Sequence, residues 1–200
     1  MERIAGVILA AGASTRMGDD KALLRWGEKT FLEHLLTALK NSGVGLVRVV
    51  LGGNAAAVQA RLRFDAGEVV VNPQWEKGQL SSLIAGLDSL PAGMVEAAVV
   101  CLVDQPAVSS RVIRTLIEKF YETRKLIVAP TRKGKRGHPV LFSAALFEEL
   151  RGAPLEAGAR NVVRRHAGDV LEVETEDEGV VLNINDRGAY EKILRLPPPK

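Results

Sequence analysis

The sequence predicts an α/β protein with a doubly wound, mostly parallel sheet. Three observations carry that expectation. Short apolar runs alternate with helical patterns from residue 4 to residue 129, the order that builds strand–helix–strand units. The runs at 4–10 and 97–103 are apolar without interruption, as in strands covered on both faces. Gly12, Gly52 and Asp104 each follow such a run. In a parallel sheet all three would lie at the carboxyl edge, where ligands bind.

Taken in order, residues 4–10 form the first strand and end in Ala11-Gly12-Ala13-Ser14. Thr30 starts a helix, because Glu33 three residues on completes a capping box and Phe31, Leu32, Leu35, Leu36 and Leu39 supply the apolar stripe. Gly43 is its C-cap. A second strand covers 47–51 and turns at Gly52-Gly53, and Asn54 caps a helix over 55–63. A short strand at 68–71 is stopped by Asn72-Pro73. A helix over 79–90 enters through Gly78 and carries Ser81 and Ser82 near its start. The strand at 97–103 ends in Asp104-Gln105-Pro106, a helix follows over 110–123, and a strand over 126–129.

After Pro130 the texture is less regular. TRKGKRGHP is a basic, glycine-bearing loop. A strand is expected at 139–142, helices at 144–151 and 159–166, and an antiparallel pair at 170–174 and 180–184 around an acidic turn. A last helix over 187–196 leads into the proline tail. With no internal repeat and no clear linker, residues 1–200 read as one domain, with a nucleotide-binding half over 1–130 and an acceptor-binding half over 131–200.

Composition bounds the function. Hydrophobic residues make up 46% and charged residues 26%, the balance of a globular enzyme with a core. No run is long enough for a membrane span and no signal-peptide pattern opens the chain, so a cytoplasmic protein without membrane association is expected. Aromatics are 4% and not interleaved with the basic residues, which argues against nucleic acid as a partner. The one cysteine, Cys101, sits mid-strand and reads as a buried, inert thiol. Three scattered histidines make no zinc site, and His34 and His166 read as structural.

The chemistry concentrates in residues 7–21, VILAAGASTRMGDDK. Small residues let backbone amides approach a ligand, and Arg16 and Lys21 add positive charge, so the loop suits a polyphosphate. A Walker loop needs four residues between its glycine and Gly-Lys-Ser/Thr, but five residues separate Gly12 from Gly18, with no Lys-Ser/Thr after them. The dinucleotide fingerprint needs three glycines, of which only Gly12 fits. Kinase-type loops and hydride-transfer cofactors are therefore disfavoured.

LAAGASTRMG with Asp20-Lys21 closely resembles the signature loop of nucleotidyltransferases that activate small phosphorylated molecules, and within them the molybdenum cofactor cytidylyltransferase group. Asn72-Pro73-Gln74-Trp75, Gly78 with Ser81-Ser82-Leu83, Asp104-Gln105-Pro106 and Gly137-His138-Pro139 resemble later motifs of that group. Related guanylyltransferases usually carry Leu-Ala-Gly-Gly in the first loop, so Ala11 leans the reading towards cytidine. Leu155-Glu156-Ala157-Gly158-Ala159-Arg160 and Asn183-Ile184-Asn185-Asp186-Arg187 depart from the group's usual strings.

The resemblance implies a Rossmann-like nucleotidyltransferase fold with an antiparallel C-terminal element. It implies a magnesium-dependent transfer of a nucleotidyl group from CTP or another NTP to a molybdopterin-type acceptor. A molybdoenzyme or its chaperone would then be a downstream partner. Leu9, Ala10, Ala11, Gly12 and Ser14 would hold the nucleotide, joined by Gly78, Ser81 and Ser82, with Trp75 as a possible flank. Arg16 would meet the β- and γ-oxygens and Lys21 the α-phosphate. Asp104 would bind Mg2+ with Asn185, or else Asn183 or Asp186, as the second ligand. His138, beside Arg136, and Arg160 would meet the acceptor. The rival readings are another acceptor such as a sugar or polyol phosphate, a non-catalytic nucleotide-binding module, and a glycosyltransferase. The last usually presents two carboxylates one residue apart, which Asp104-Gln105-Pro106 does not.

Overall fold

A computed structural model of the chain describes residues 3–12 and 20–199. Strand β1 (Ile4–Leu9) lies between two parallel neighbours, β4 (Leu46–Leu51) and β6 (Ala97–Leu102). Its six residues are all buried, which is why the run carries no polar alternation. The remaining strands are β2 (Arg25–Trp26), β3 (Lys29–Thr30), β5 (Val69–Val71), β7 (Ile127–Arg132), β8 (Lys135–Arg136), β9 (Val140–Ser143) and β10 (Val170–Glu174). The main sheet runs β10-β7-β9-β6-β1-β4-β5, with β8 paired to β7, while β2 and β3 form a separate hairpin.

Helices cover both faces. On one side α1 (Phe31–Asn41), α2 (Ala55–Arg61) and α4 (Ser110–Thr123) bury Leu32, Leu35, Leu39, Val58, Ile113 and Leu116 against Ile4, Ile8, Val49 and Val99. On the other, α3 (Gln79–Asp88), α5 (Phe147–Arg151) and α6 (Ala159–Arg165) bury Leu80, Leu83, Leu87, Leu150 and Val162 against Ala5, Val7, Val50 and Val100. The sheet is therefore doubly wound, as expected. Helix α3 comes so close that a Cβ at Gly86 would lie 2.6 Å from Val7 Cγ1. Removing a fully buried side chain such as Leu116 leaves a void in this packing and costs roughly 2–5 kcal/mol.

A third, smaller cluster joins the ends of the chain. Leu24, Trp26 and Phe31 meet Ile184 and Ile193, the latter in α7 (Arg187–Ile193). Trp26 Nε1 donates to Leu196 O at 3.0 Å, and Tyr190 Oη donates to Arg25 O at 2.8 Å. The segment just after the glycine-bearing loop is thus fixed to the segment just after Asn185.

Several expected elements hold closely. Thr30 and Glu33 form the capping box, and Gly43 follows the helix with φ 84°. Cys101 is buried, and burial pushes its thiol up to about 12. His34 is buried, with Nε2 at 2.8 Å from Trp26 O, and His166 Nε2 pairs with Glu149 Oε2 at 2.5 Å. No described helix is long and apolar enough to cross a membrane.

Others are corrected. Strand β7 runs through Pro130 to Arg132; pairing with β9 stops at Val128, so a proline further on interrupts no ladder with it. The expected antiparallel pair at 170–174 and 180–184 does not form. Strand β10 pairs with β7 and is parallel to it, and the antiparallel element is β9, lying between β6 and β7. Residues 178–180 are a 3-10 turn. Val180 and Ile184 are apolar because both are fully buried, not because they alternate along a strand. Asn54 makes no side-chain cap on α2.

Candidate functional site

The carboxyl ends of β1, β4 and β6 do fall on one edge, because all three strands are parallel. A cleft of about 400 Å3 opens there. Residues 9–12 form one wall and Leu102, Val103 and Asp104 another. Asp20, Lys21 and Asn185 also line it, as do Trp75, Glu76, Gly78, Gln79 and Ser82.

The β1 wall is held from behind. Ala10 N donates to Val50 O at 2.9 Å. Asn54 Nδ2 donates to Ala10 O at 3.0 Å, while its Oδ1 accepts from Gly52 N at 3.0 Å. The side chain read as a helix cap instead ties the second strand-to-loop turn to the first. Gly52 is required for that approach: a Cβ there would lie 2.5 Å from Ala11 O and 2.6 Å from Trp75 Cγ. Trp75 accordingly rests on the Gly52-Gly53 turn with one side on the cleft.

Lys21 and its partners define the polar end. Asp20 caps the 3-10 turn Lys21–Leu23 by accepting from Ala22 N at 2.9 Å, which fixes where Lys21 begins. Lys21 Nζ donates to Asn185 Oδ1 at 2.7 Å and lies 3.8 Å from Asp104 Oδ2. Two oxygens from sequence-distant segments therefore converge on one cationic centre. A carboxylate and an amide oxygen set this close suit a hard divalent cation that keeps several waters and takes its other ligands from phosphate. Among the described residues no group of three or more His, Cys, Asp or Glu side chains is gathered as a metal site.

The two serines part company. Ser82 lines the cleft. Ser81 does not. Both are buried and both accept from Asn72 Nδ2, Ser81 at 3.0 Å and Ser82 at 3.1 Å; Ser81 also donates to Gln74 O at 3.0 Å and Gly78 O at 2.8 Å. Ser81 thereby holds the turn before α3. Gly78 adopts φ 98° at the cleft, a conformation that glycine alone takes without strain.

His138 and Arg160 lie outside the lining of this cleft but within electrostatic reach of it. Burial lowers the His138 imidazole below its ordinary value; Asp104 opposes that shift and Arg160 adds to it. The loop bearing His138 is pinned by its backbone, with His138 N donating to Val180 O at 2.9 Å and Gly137 N to Pro130 O at 2.8 Å. Gly137 permits this, since a Cβ there would lie 2.1 Å from Val180 O. Arg136, expected beside His138, instead pairs with Glu172. Ser14 and Arg16 lie outside the described residues.

Sequence reasoning missed Asn54 as a brace and Glu76 and Gln79 as lining. The signal for the last two was their position on either side of Gly78 in a motif already singled out.

Known proteins resemble the chain along nearly its whole length. A Paenarthrobacter nicotinovorans protein named nicotine blue oxidoreductase is 34% identical over 96% of both chains. The Escherichia coli (strain K12) molybdenum cofactor cytidylyltransferase is 28% identical over 92% of both. The crystal structure of Rv0371c from Mycobacterium tuberculosis H37Rv in complex with manganese superposes with a TM-score of 0.78 at 29% identity, covering 97% of this chain and 99% of that one. The MobA-like NTP transferase domain matches residues 6–170. With its parallel strand ends, its glycine-bearing first loop and its Lys21–Asp104–Asn185 centre, the chain belongs to the MobA-like NTP transferase family.

Proposed function

We propose that the protein moves a nucleotidyl group from CTP to a molybdopterin-type phosphorylated acceptor, with Mg2+, and releases pyrophosphate. The observation that carries this reading is the meeting of Lys21, Asp104 and Asn185 at the open end of β1 and β6. A phosphate oxygen of the acceptor attacks the α-phosphorus, and the bond to the β-phosphate oxygen breaks. Such transfers ask the protein for position and charge neutralisation rather than covalent chemistry.

Residues 9–12 present β1's end to the triphosphate, and Arg16, beyond the described residues, is assigned the β- and γ-oxygens. Lys21 supplies positive charge near the α-phosphate. Asp104 and Asn185 would hold the cation, which when bound offsets the charge of the triphosphate. That the similar mycobacterial protein has a structure in complex with manganese supports the use of a divalent ion. Trp75 and Ser82 would flank base and ribose. His138, kept neutral by burial, and Arg160 would face the acceptor. Ala11 favours CTP, and the E. coli relative's name supports both cytidylyl transfer and the molybdenum cofactor.

The relative named nicotine blue oxidoreductase favours a second reading, a redox reaction. The lack of the three-glycine fingerprint weighs against it. Pyrophosphate release, measured with each of four nucleoside triphosphates with and without molybdopterin acceptor, tests the proposal. Release that needs CTP, Mg2+ and acceptor together supports it. Absence of release with every triphosphate, together with consumption of a reduced nicotinamide, would replace it with the second reading.

A further inference from the structure

Asp104 and Asn185 belong to segments 81 residues apart, yet their side chains must hold a fixed spacing if both are to serve one cation. Two bonds join those segments. Ile184 N donates to Asp104 O at 2.8 Å. Gln105 Nε2 donates to Asn183 Oδ1 at 2.9 Å. The backbone bond fixes Ile184 alone, and rotation about it would still swing Asn185 relative to Asp104. The side-chain bond, made by the residue after Asp104 and the residue before Ile184, is a second point of attachment and removes that freedom. Asn183 in turn donates from Nδ2 to Val181 O at 3.3 Å, so the brace continues into its own backbone.

Gln105 is an unusual choice for a site that needs only stability. It is 3% exposed, and its Oε1 is buried without a hydrogen-bond partner. A buried acceptor left unpaired destabilises the fold relative to an apolar side chain of the same volume. The amide is therefore better explained by what its donor end holds.

We propose that Gln105 is a positioning residue: through Asn183 it sets the spacing of Asn185 from Asp104, and so the geometry of the cation site. Its effect on turnover rests on the nucleotidyltransferase reading; its effect on cation binding does not. Gln105 also meets neither the nucleotide nor the acceptor in that reading, so the consequence should appear in the cation affinity and in kcat, not in the NTP KM.

The test substitutes Gln105→Met, which keeps volume and removes both the clip and the orphaned acceptor. Mn2+ alone is titrated by electron paramagnetic resonance, and steady-state turnover and thermal stability are measured beside it. Tm is expected to hold or rise. Mn2+ affinity and kcat are each expected to fall by about 10-fold, in the range found when a residue that orients a metal ligand is lost, with KM for the triphosphate within about twofold. Asn183→Leu, at an exposed residue where folding is not at risk, should reproduce both losses. The double substitution should be no worse than either single one, as for two partners of one bond. Mn2+ affinity unchanged in both single variants, or additive losses in the double, would overturn the proposal. Should the wild type release no pyrophosphate, the transferase reading fails while the Mn2+ titration still decides this one. A wild type that binds no Mn2+ overturns it outright.

Discussion

On the β1–β4–β6 side of the molecule the cleft residues sit where regular parallel strands end. On the side beyond Pro130 they sit on turns, held there by single bonds and close backbone contacts. Leu9 and Asp104 reach one edge through the strand registers, and the Gly52 turn is added to it by Asn54. His138 needs Gly137 against Val180 O, and Asn185 needs Ile184 N on Asp104 O. A site of this kind has one half set by the sheet and one half fastened to it. Strand ends tolerate small changes nearby, because many ladder bonds share the load. A turn held by one or two contacts does not.

Substitutions should expose that contrast, beginning with the largest effect. Asp104→Ala removes a carboxylate that pairs with Lys21 at 3.8 Å near the cleft surface, so the fold should survive. Turnover should fall at least on the order of 10²–10³-fold, comparable to losing a principal stabiliser of transition-state charge. Steady-state kinetics beside a melting curve would check both parts.

Next, Gly137→Ala forces a methyl to within 2.1 Å of a backbone oxygen. It should cost roughly 1–3 kcal/mol by overpacking and displace His138. Chemical denaturation should detect it. By contrast, Gly12→Ala finds nothing among the described residues within 4 Å of its new Cβ and should leave stability unchanged within about 0.5 kcal/mol. If Gly137→Ala were equally silent, the fastened half would be more yielding than its contacts suggest.

Ser81→Ala sharpens the division between the two serines. It breaks the Asn72 bond in a buried network, so stability should drop by about 1 kcal/mol while KM for the triphosphate stays put. Ser82→Ala loses an Asn72 bond of its own and should lower stability by a similar amount, but, because Ser82 lines the cleft, it should also raise KM for the triphosphate.

The smallest effect concerns pH. Burial lowers the His34 and His138 imidazoles, so the unfolded chain binds more protons than the folded one as pH falls below the ordinary histidine value near 6.5. The stabilisation from the neutral rings is complete above that value and is lost as pH drops through it. Tm should decline between about pH 7 and 5.5, and His138→Gln should make the decline shallower. An unchanged slope would mean that other groups dominate it.

The same contrast explains what the sequence disclosed. Strands β1, β4 and β6 and helices α1 and α4 are legible because a two-sided apolar run, a capping box and a 3.6-residue stripe are local signals. Helix α4 spans the predicted 110–123 without change. The edge holding Gly12, Gly52 and Asp104 followed from parallel pairing alone. The segment at 180–184 was misread because fully buried residues in an irregular chain mimic strand alternation; what distinguishes them is a set of long-range bonds to His138 and Asp104. Asn54 was misassigned, and the buried bonds of Ser81 were missed, for a related reason. A polar side chain at a helix start reads as a cap or a ligand contact, and only the folded chain shows that Asn54 reaches Ala10 O, 44 residues away, or that Ser81 is taken by Asn72. Gln105 and Asn183 lay within motifs already noted, but their pairing is visible only once β6 and the segment ahead of α7 are side by side.

The most direct measurement of the central claim is pyrophosphate release from CTP by the wild type and by Asp104→Ala, in Mg2+ with a molybdopterin acceptor. Release by the wild type that stops on withholding Mg2+ or acceptor, and is lost in Asp104→Ala with its fold intact, is the predicted result. Equal release by both proteins, or release from neither CTP nor any other triphosphate, would contradict the assignment of this cleft to nucleotidyl transfer.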